Sequence, residues 1–301
     1  FVVFVVFEAT EKRMKFPIRT LTVAVAAALV VPTQAIFAQD ENLTEEVVVI
    51  GTRTEGRSAL DSPAPVDVIG GETMNNQGDT DMSNLLRNVV PSYNVNDQPI
   101  SDAATLVRPA NLRGLAPDHT LMLVNGKRRH RASVITWLGN GISNGSQGPD
   151  AAAIPAGALK RIEVLRDGAS AQYGSDAIAG VMNFVLNDAS EGGSLEVRYG
   201  EYQEGDGQQT TIMGNIGLPL GETGFLNLTA EWGESDPTSR SEQRADAQGL
   251  IDDGYQNVPV PAMIWGRPIV NDDMKLWANF GVDLSDTLEL YGHANYNSKE
   301  V

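Results

Sequence analysis

From about residue 192 onward the chain alternates between apolar and polar positions. In SLEVRYGEY, Leu195, Val197 and Tyr199 fall on one face, with Glu196 and Arg198 on the other. TIMGNIGLPL aligns Ile212, Gly214, Ile216, Leu218 and Leu220. GFLNLTAEW sets Leu226, Leu228, Ala230 and Trp232 against Asn227, Thr229 and Glu231. KLWANFGVDL aligns Leu276, Ala278, Phe280, Val282 and Leu284, and TLELYGHANY aligns Leu288, Leu290, Gly292, Ala294 and Tyr296. Successive strand side chains point to opposite faces, so this period predicts strands at 194–202, 211–220, 225–233, 275–284 and 288–297, each with one apolar face. Tight turns at 221–224 and 285–287 alternate with longer connections at 203–209 and 234–273. That parity suits a membrane barrel with short periplasmic turns and longer outer loops. A soluble β-sandwich alternates too; strand length and turn parity favour the barrel.

Residues 61–190 follow a mixed pattern. PAPVDVIGGETM predicts a strand leading into a turn, and DTDMSNLLRNVVPS a short amphipathic helix, with Asp79 or Asp81 near its start and Pro91 past its end. HTLMLVNGKRR predicts a strand with an Asn125-Gly126 turn, and LKRIEVLRD another strand. This is a small α+β domain placed before the barrel. Upstream, Met14 opens a secretory leader of bacterial style at 14–38: Lys15 and Arg19 supply the positive end, and an apolar core at 21–31 is too short to span a bilayer, which needs about 20 residues. Residues 1–13, FVVFVVFEATEKR, contain no initiator methionine and read as an upstream translation artefact; a second membrane anchor is the alternative, but the apolar run is far short of a span.

Composition narrows the function. The formal charge is −17, against a nucleic-acid partner, which needs a basic face. With no cysteine, disulfides and thiolate metal sites are excluded. His119, His130 and His293 show no ligand spacing, so no metal is expected. Ser170, in DGASAQYG, sits near a nucleophile elbow of the form G-x-S-x-G. Gln172 replaces the last glycine, and only His293, on a predicted strand, could complete a Ser-acid-His order. A serine hydrolase is therefore disfavoured. Residues 108–131 concentrate Arg108, Arg113, Lys127, Arg128, Arg129 and Arg131 against Asp118 alone. Arg128, Arg129 and Arg131, with Trp137 nearby, are candidate contacts for an anionic or aromatic ligand; a solvated or interdomain surface and a packed tryptophan are the alternatives.

Four stretches then carry a resemblance. EEVVVIGTR (45–53), NLRGL (111–115), LMLVNGKRR (121–129) and IPAGALKRIEVLRDGASAQYGSDAIAGVMNFVLN (154–187) resemble TonB-dependent outer-membrane receptors, in that family's order. Asp167-Gly168 departs mildly from the family's common Arg-Gly-Pro. The resemblance implies an α+β plug domain at 61–190 followed by the first strands, about five, of an antiparallel transmembrane β-barrel at 191–301. Whole barrels of this kind have about 22 strands, so the chain stops inside the barrel. It implies active import of a scarce extracellular ligand, a ferric siderophore or another nutrient, across the bacterial outer membrane, with no cofactor. It further implies an N-terminal arm at 39–60 bearing Glu46, Val47, Val48, Val49 and Ile50, in which the stretch 47–50, β-branched, apolar and without a partner of its own, adds as a strand to TonB. Arg113 and Arg166 would pair with barrel glutamates, Ser170 would be structural, and Gly174 and Gly180 would serve close backbone approach. A passive porin would need neither plug nor box. A regulatory transducer would carry a further domain before the box, where only 39–44 lie.

Overall fold

Alternation becomes pairing in the computed structural model, which describes residues 50, 65–79, 81–95, 107–108, 110–136, 142–238, 240–263, 266–285 and 287–301, and the backbone of 3–8, 47–48 and 57–58. The leader and most of the 39–60 arm lie outside the described residues. In chain order the strands are β1 (Val3–Glu8), β2 (Val47–Val48), β3 (Arg57–Ser58), β4 (Val66–Gly70), β5 (Tyr93–Val95), β6 (Ala110–Leu112), β7 (Thr120–Val124), β8 (Lys127–Arg128), β9 (Leu159–Leu165), β10 (Gly180–Leu186), β11 (Gly193–Gly200), β12 (Gln209–Leu220), β13 (Gly224–Ser235), β14 (Val270–Ser285) and β15 (Leu288–Glu300). The helices are α1 (Gly71–Asn75), α2 (Met82–Val89), α3 (Ser170–Tyr173) and α4 (Ala245–Asp252).

The second half is one open sheet, ordered β1-β11-β12-β13-β14-β15 and antiparallel throughout. All five predicted strands are present. β14 starts at Val270 and β15 runs to Glu300, so the long connection shortens to 236–269. It carries α4, which the alternation did not predict: a short exposed helix leaves little periodic signal. β1, within the stretch expected to be an upstream artefact, pairs along the edge of β11. An unpaired strand edge offers a row of free backbone groups, and an extended β-branched segment satisfies them.

Burial on this wall is inverted relative to a soluble sheet. Leu195, Ile212, Ile216, Leu228 and Leu276 are exposed, whereas Glu196, Arg198, Thr211, Asn227, Thr229, Glu231, Lys275 and Asn279 are buried. In water that arrangement would forfeit hydrophobic stabilisation along a whole face. A bilayer requires it, because outward apolar side chains meet lipid while paired strands satisfy the backbone. The sandwich alternative fails on this point. Among the described residues no helix is long and apolar enough to cross a membrane.

The buried polar face lies against the α+β domain. Its sheet is ordered β4-β9-β10-β7-β8, with β10 parallel to β7 and the other pairs antiparallel. Met74 of α1 and Met82, Leu85 and Leu86 of α2 share one core with Ile162, Val164, Met182 and Phe184 of the sheet. α2 begins as expected: the Asp81 carboxylate accepts from the backbone N–H of Ser83 (3.0 Å) and Asn84 (3.2 Å). The turn expected after β4 is instead the one-turn helix α1. Asn125 (φ 47°) and Gly126 (φ 73°) are both left-handed, as a tight hairpin turn demands.

The elbow-like stretch is a packing device. Ser170 opens α3 and is exposed, and its hydroxyl makes no hydrogen bond among the described residues. At Gly180 (φ 150°) a Cβ would sit 2.3 Å from the Leu165 carbonyl oxygen. Only glycine lets β10 approach β9 there.

The inverted wall makes a direct prediction. On a soluble surface Leu276→Arg would change stability by within about 0.5 kcal/mol. Facing lipid near mid-strand, it should cost about 2–4 kcal/mol and deplete folded protein in bacterial membranes, scored by heat-modifiable mobility. Wild-type assembly would place that face in water.

Candidate functional site

The inner face of the wall is zoned, and each zone holds a different part of the α+β domain. Toward the β11 C-terminus and the β14 N-terminus lies a charged zone. Arg198 donates through Nη1 to the Asp79 carbonyl and through Nη2 to the Asn75 carbonyl, both at 2.7 Å, and pairs through Nε with Glu196. It thereby satisfies a carbonyl at the end of α1, where no further helical N–H follows. Lys275 meets Glu231 at 2.6 Å directly across the β13–β14 ladder, and Lys299 reaches Asp273 at 3.3 Å. Asp81 pairs with Arg108 within the domain. A cavity of about 110 Å³ separates Asp79, Asp81 and Arg108 from Glu231, Lys275 and Lys299.

The fields of these groups are visible in two carboxyls. Burial pushes the Asp81 carboxyl up, but Arg108, Lys299 and Lys275 together outweigh it and hold the group below its ordinary value. Asp150 goes the other way: burial dominates over the N–H of Ala152, and neighbouring Asp81 adds to the rise.

Toward the opposite end the contacts are neutral amides. Asn279 donates to the Asn187 carbonyl (3.0 Å) and accepts from Asn125 (3.1 Å). Asn215 donates to Asn227 (2.7 Å), whose own amide reaches the Ala189 carbonyl (3.4 Å). Between the zones, the Trp277 indole N–H donates to the Ala153 carbonyl (3.0 Å), and Arg129 lies 5.3 Å over the ring. Arg129 also donates to the Asn295 side-chain oxygen at 3.0 Å.

The predicted site residues divide among these surroundings. Glu46, Val49 and Trp137 lie outside the described residues. Val47 and Val48, expected to be unpartnered, form β2 and pair with β3. Ile50 is buried with Leu121, Leu123, Leu165, Ala177 and Val181, on the sheet face away from α1 and α2. An apolar β-branched segment finds cover even within its own chain, which corrects the picture of a free arm. Arg113 (φ 56°) lies 3.8 Å from Asp167, and Arg166 meets Asp67 at 2.5 Å. Neither touches a wall strand among the described residues. Arg128 pairs with Asp176, and Arg131 is exposed. Sequence reasoning missed Arg198 and Asn279 as anchors. Their signal was present: they occupy the polar positions of strands whose apolar face looks the other way.

Residues 58–181 match the TonB-dependent Receptor Plug Domain family. The chain is 28% identical over 258 residues to the vitamin B12 transporter BtuB of Photobacterium profundum, covering 86% of this chain and 38% of that protein. It is 33% identical over 150 residues to an iron-regulated outer membrane virulence protein of Vibrio cholerae, covering 50% of this chain and 21% of that protein. A crystal structure of the ferric enterobactin receptor of Pseudomonas aeruginosa superposes with a TM-score of 0.57 at 22% identity, over 78% of this chain and 33% of that one. The chain thus spans well under half the length of these relatives. Residues 58–181 therefore form a TonB-dependent receptor plug domain, and the strands beside it share the fold of such a receptor's barrel wall.

Arg198 is the anchor to test. Arg198→Ala removes two hydrogen bonds to carbonyls and leaves Glu196 buried without its partner, a change expected to cost about 3–5 kcal/mol. Proteolysis between α1 and α2 in urea should begin at clearly lower denaturant; an unchanged onset would remove Arg198 as an anchor. Asp81 supplies a pH test. Its folded-state pKa is depressed, so its contribution is present above the unfolded value and lost as pH falls through the lower folded one. Asp81→Asn should therefore weaken the plug at pH 7 and narrow its gap to wild type only below about pH 4, measured by urea midpoints across pH.

Proposed function

We propose that this chain belongs to an outer-membrane importer that takes up a scarce extracellular ligand, a ferric siderophore or a comparable nutrient, with energy delivered through TonB. One observation carries the reading: a folded plug is fastened to the polar inner face of strands whose outer face suits lipid. A plug so placed obstructs passive flow, so passage needs a change of plug structure driven from outside the barrel. The named relatives, a vitamin B12 transporter among them, support import as the activity and leave the cargo chemistry open.

The coupling contact in this reading is the segment of Glu46, Val47, Val48, Val49 and Ile50. Recruitment by TonB through strand addition has to displace the β2–β3 pair and withdraw Ile50. Burying such a side chain is worth about 1.5–3 kcal/mol, a latch that a binding partner can overcome. Arg113 and Arg166 would keep a plug–barrel role through wall strands beyond β15, in addition to their present partners Asp167 and Asp67. Export through a bacterial secretory leader and residence in the outer membrane complete the proposal.

Val48→Pro removes a backbone N–H needed for strand addition. In cells carrying the complete receptor it should abolish uptake while surface binding of the ligand persists; normal transport would sink the coupling assignment.

Orientation gives a second test. With the plug loaded from the periplasm, β11 runs outward, which puts 236–269 outside and the β12–β13 turn in the periplasm. An epitope tag at Asp252 should be reached by antibody on intact cells, and one at Glu222 only after the outer membrane is opened. Reversed accessibilities would overturn the orientation.

A further inference from the structure

Two rungs of side chains cross the face of the plug sheet that is turned away from α1 and α2. The first is apolar, with Val66, Leu165, Val181 and Leu121 aligned on β4, β9, β10 and β7. The second sets a polar pair, Glu163 and Asn183, between Val68 and Leu123. Both members of that pair are fully buried. Ile50 packs on this same face, in one cluster with Leu121, Leu123, Leu165 and Val181, the residues that flank the pair.

From the pair a line of hydrogen bonds leads to the wall. Glu163 Oε1 accepts from Arg161 Nε at 2.9 Å, and Oε2 accepts from the Asn183 amide at 3.1 Å. Asn183 Oδ1 in turn accepts from the Gly126 N–H at 2.9 Å, which fixes the β7–β8 turn. The other residue of that turn, Asn125, accepts from the Leu186 N–H at 2.8 Å and donates to Asn279 of β14 at 3.1 Å. The position of the turn is thus passed on to a contact between plug and wall. Such links hold well only in a dry interior, because water competes for a carboxylate and an amide as soon as it reaches them. The apolar side chains around the pair, Ile50 among them, keep it dry.

We infer that Ile50 seals a relay from the arm to the wall. Seated, it keeps water from Glu163 and Asn183; withdrawn, it admits water, and the loss passes through Gly126 and Asn125 to the Asn279 contact. Arg161 stays with Glu163 throughout, so opening never leaves the carboxylate without its counter-charge. Withdrawal of the arm then loosens the plug on the wall with no force applied at the wall itself. This deepens the coupling reading and rests on it for the withdrawal of the arm. The test below unseats Ile50 by substitution and scores exchange instead of uptake, so its failure leaves that reading to the Val48→Pro experiment.

The complete receptor carrying this chain, purified in detergent, is followed by amide hydrogen exchange resolved at Gly126 and Leu186. Val90, whose N–H donates to the Leu86 carbonyl at the end of α2, is the reference. Ile50→Asp puts a carboxylate among leucines and so unseats the side chain. Exchange at Gly126 and Leu186 should rise at least fivefold, with Val90 changed less than twofold. Asn183→Leu cuts the relay and leaves Glu163 with Arg161. Added to that variant, Ile50→Asp should change Leu186 less than twofold. A smaller rise at Gly126 and Leu186 overturns the inference. An equal rise at Val90 also overturns it, since the whole plug has then loosened. So does a Leu186 response that survives in Asn183→Leu. Should either substitution prevent assembly, Ile50→Ala and Asn183→Ala replace them, with a threefold rise as the dividing line.

Discussion

Everything in this structure follows from a sheet whose apolar side chains point away from the rest of the protein. Five long strands expose Leu195, Ile216, Leu228 and Leu276 and bury Glu231, Lys275 and Asn279. Such a sheet is stable only where its outer face meets hydrocarbon and its inner face meets polar partners. The second condition is as strict as the first. A buried lysine or asparagine without a partner costs more than its pairing returns. The wall therefore needs something polar against it, and the plug supplies it.

The plug meets this need without being polar itself. Its core is conventional, with α1 and α2 packed on a five-stranded sheet through methionine, leucine and phenylalanine. What it offers the wall is mainly backbone: the carbonyls of Asn75, Asp79, Ala153, Asn187 and Ala189 all accept from wall side chains. Among the described residues, Trp277 is the one wall side chain that joins the plug's core cluster. Docking through backbone carbonyls makes the fit depend on the plug's fold more than on its individual side chains. Wall residues such as Arg198 then act as the specific element.

The sequence made the strands legible because one physical rule, alternation, applies across about ten residues at a time. The α2 start was legible through Asp81, and the β7–β8 turn through Asn125-Gly126, since each is a local requirement on backbone geometry. Helices α1 and α4 were not, being too short to carry a period. The anchors at Arg198 and Asn279 could be assigned to the polar face but not to partners, because those partners lie 92 to 154 residues away along the chain (Asn279 to Asn187, Asn279 to Asn125). The arm was misjudged for a related reason. Val47 and Val48 were read as unpartnered because β-branched residues suit strand addition, yet that same character lets them pair with Arg57 and Ser58.

The zoning of the interface bears on how a plug so held could move. Neutral hydrogen bonds contribute only about 0.5–1.5 kcal/mol each, because water replaces them nearly as well. The amide row of Asn125, Asn215, Asn227 and Asn279 is thus exchangeable bond by bond when water enters. The charged row holds the plug more firmly, since the Asn75 and Asp79 carbonyls accept from the Arg198 guanidinium and bonds to a charged group contribute about 1.5–3 kcal/mol each. In the orientation proposed above, the amide row lies at the periplasmic end and the charged row at the outer end. A pull applied from the periplasm through the arm then meets the exchangeable contacts first. On the import reading, the α1–α2 region held by Arg198 would stay on the wall while the amide-held side of the plug comes away, so that this order of fastening favours partial rearrangement over wholesale release.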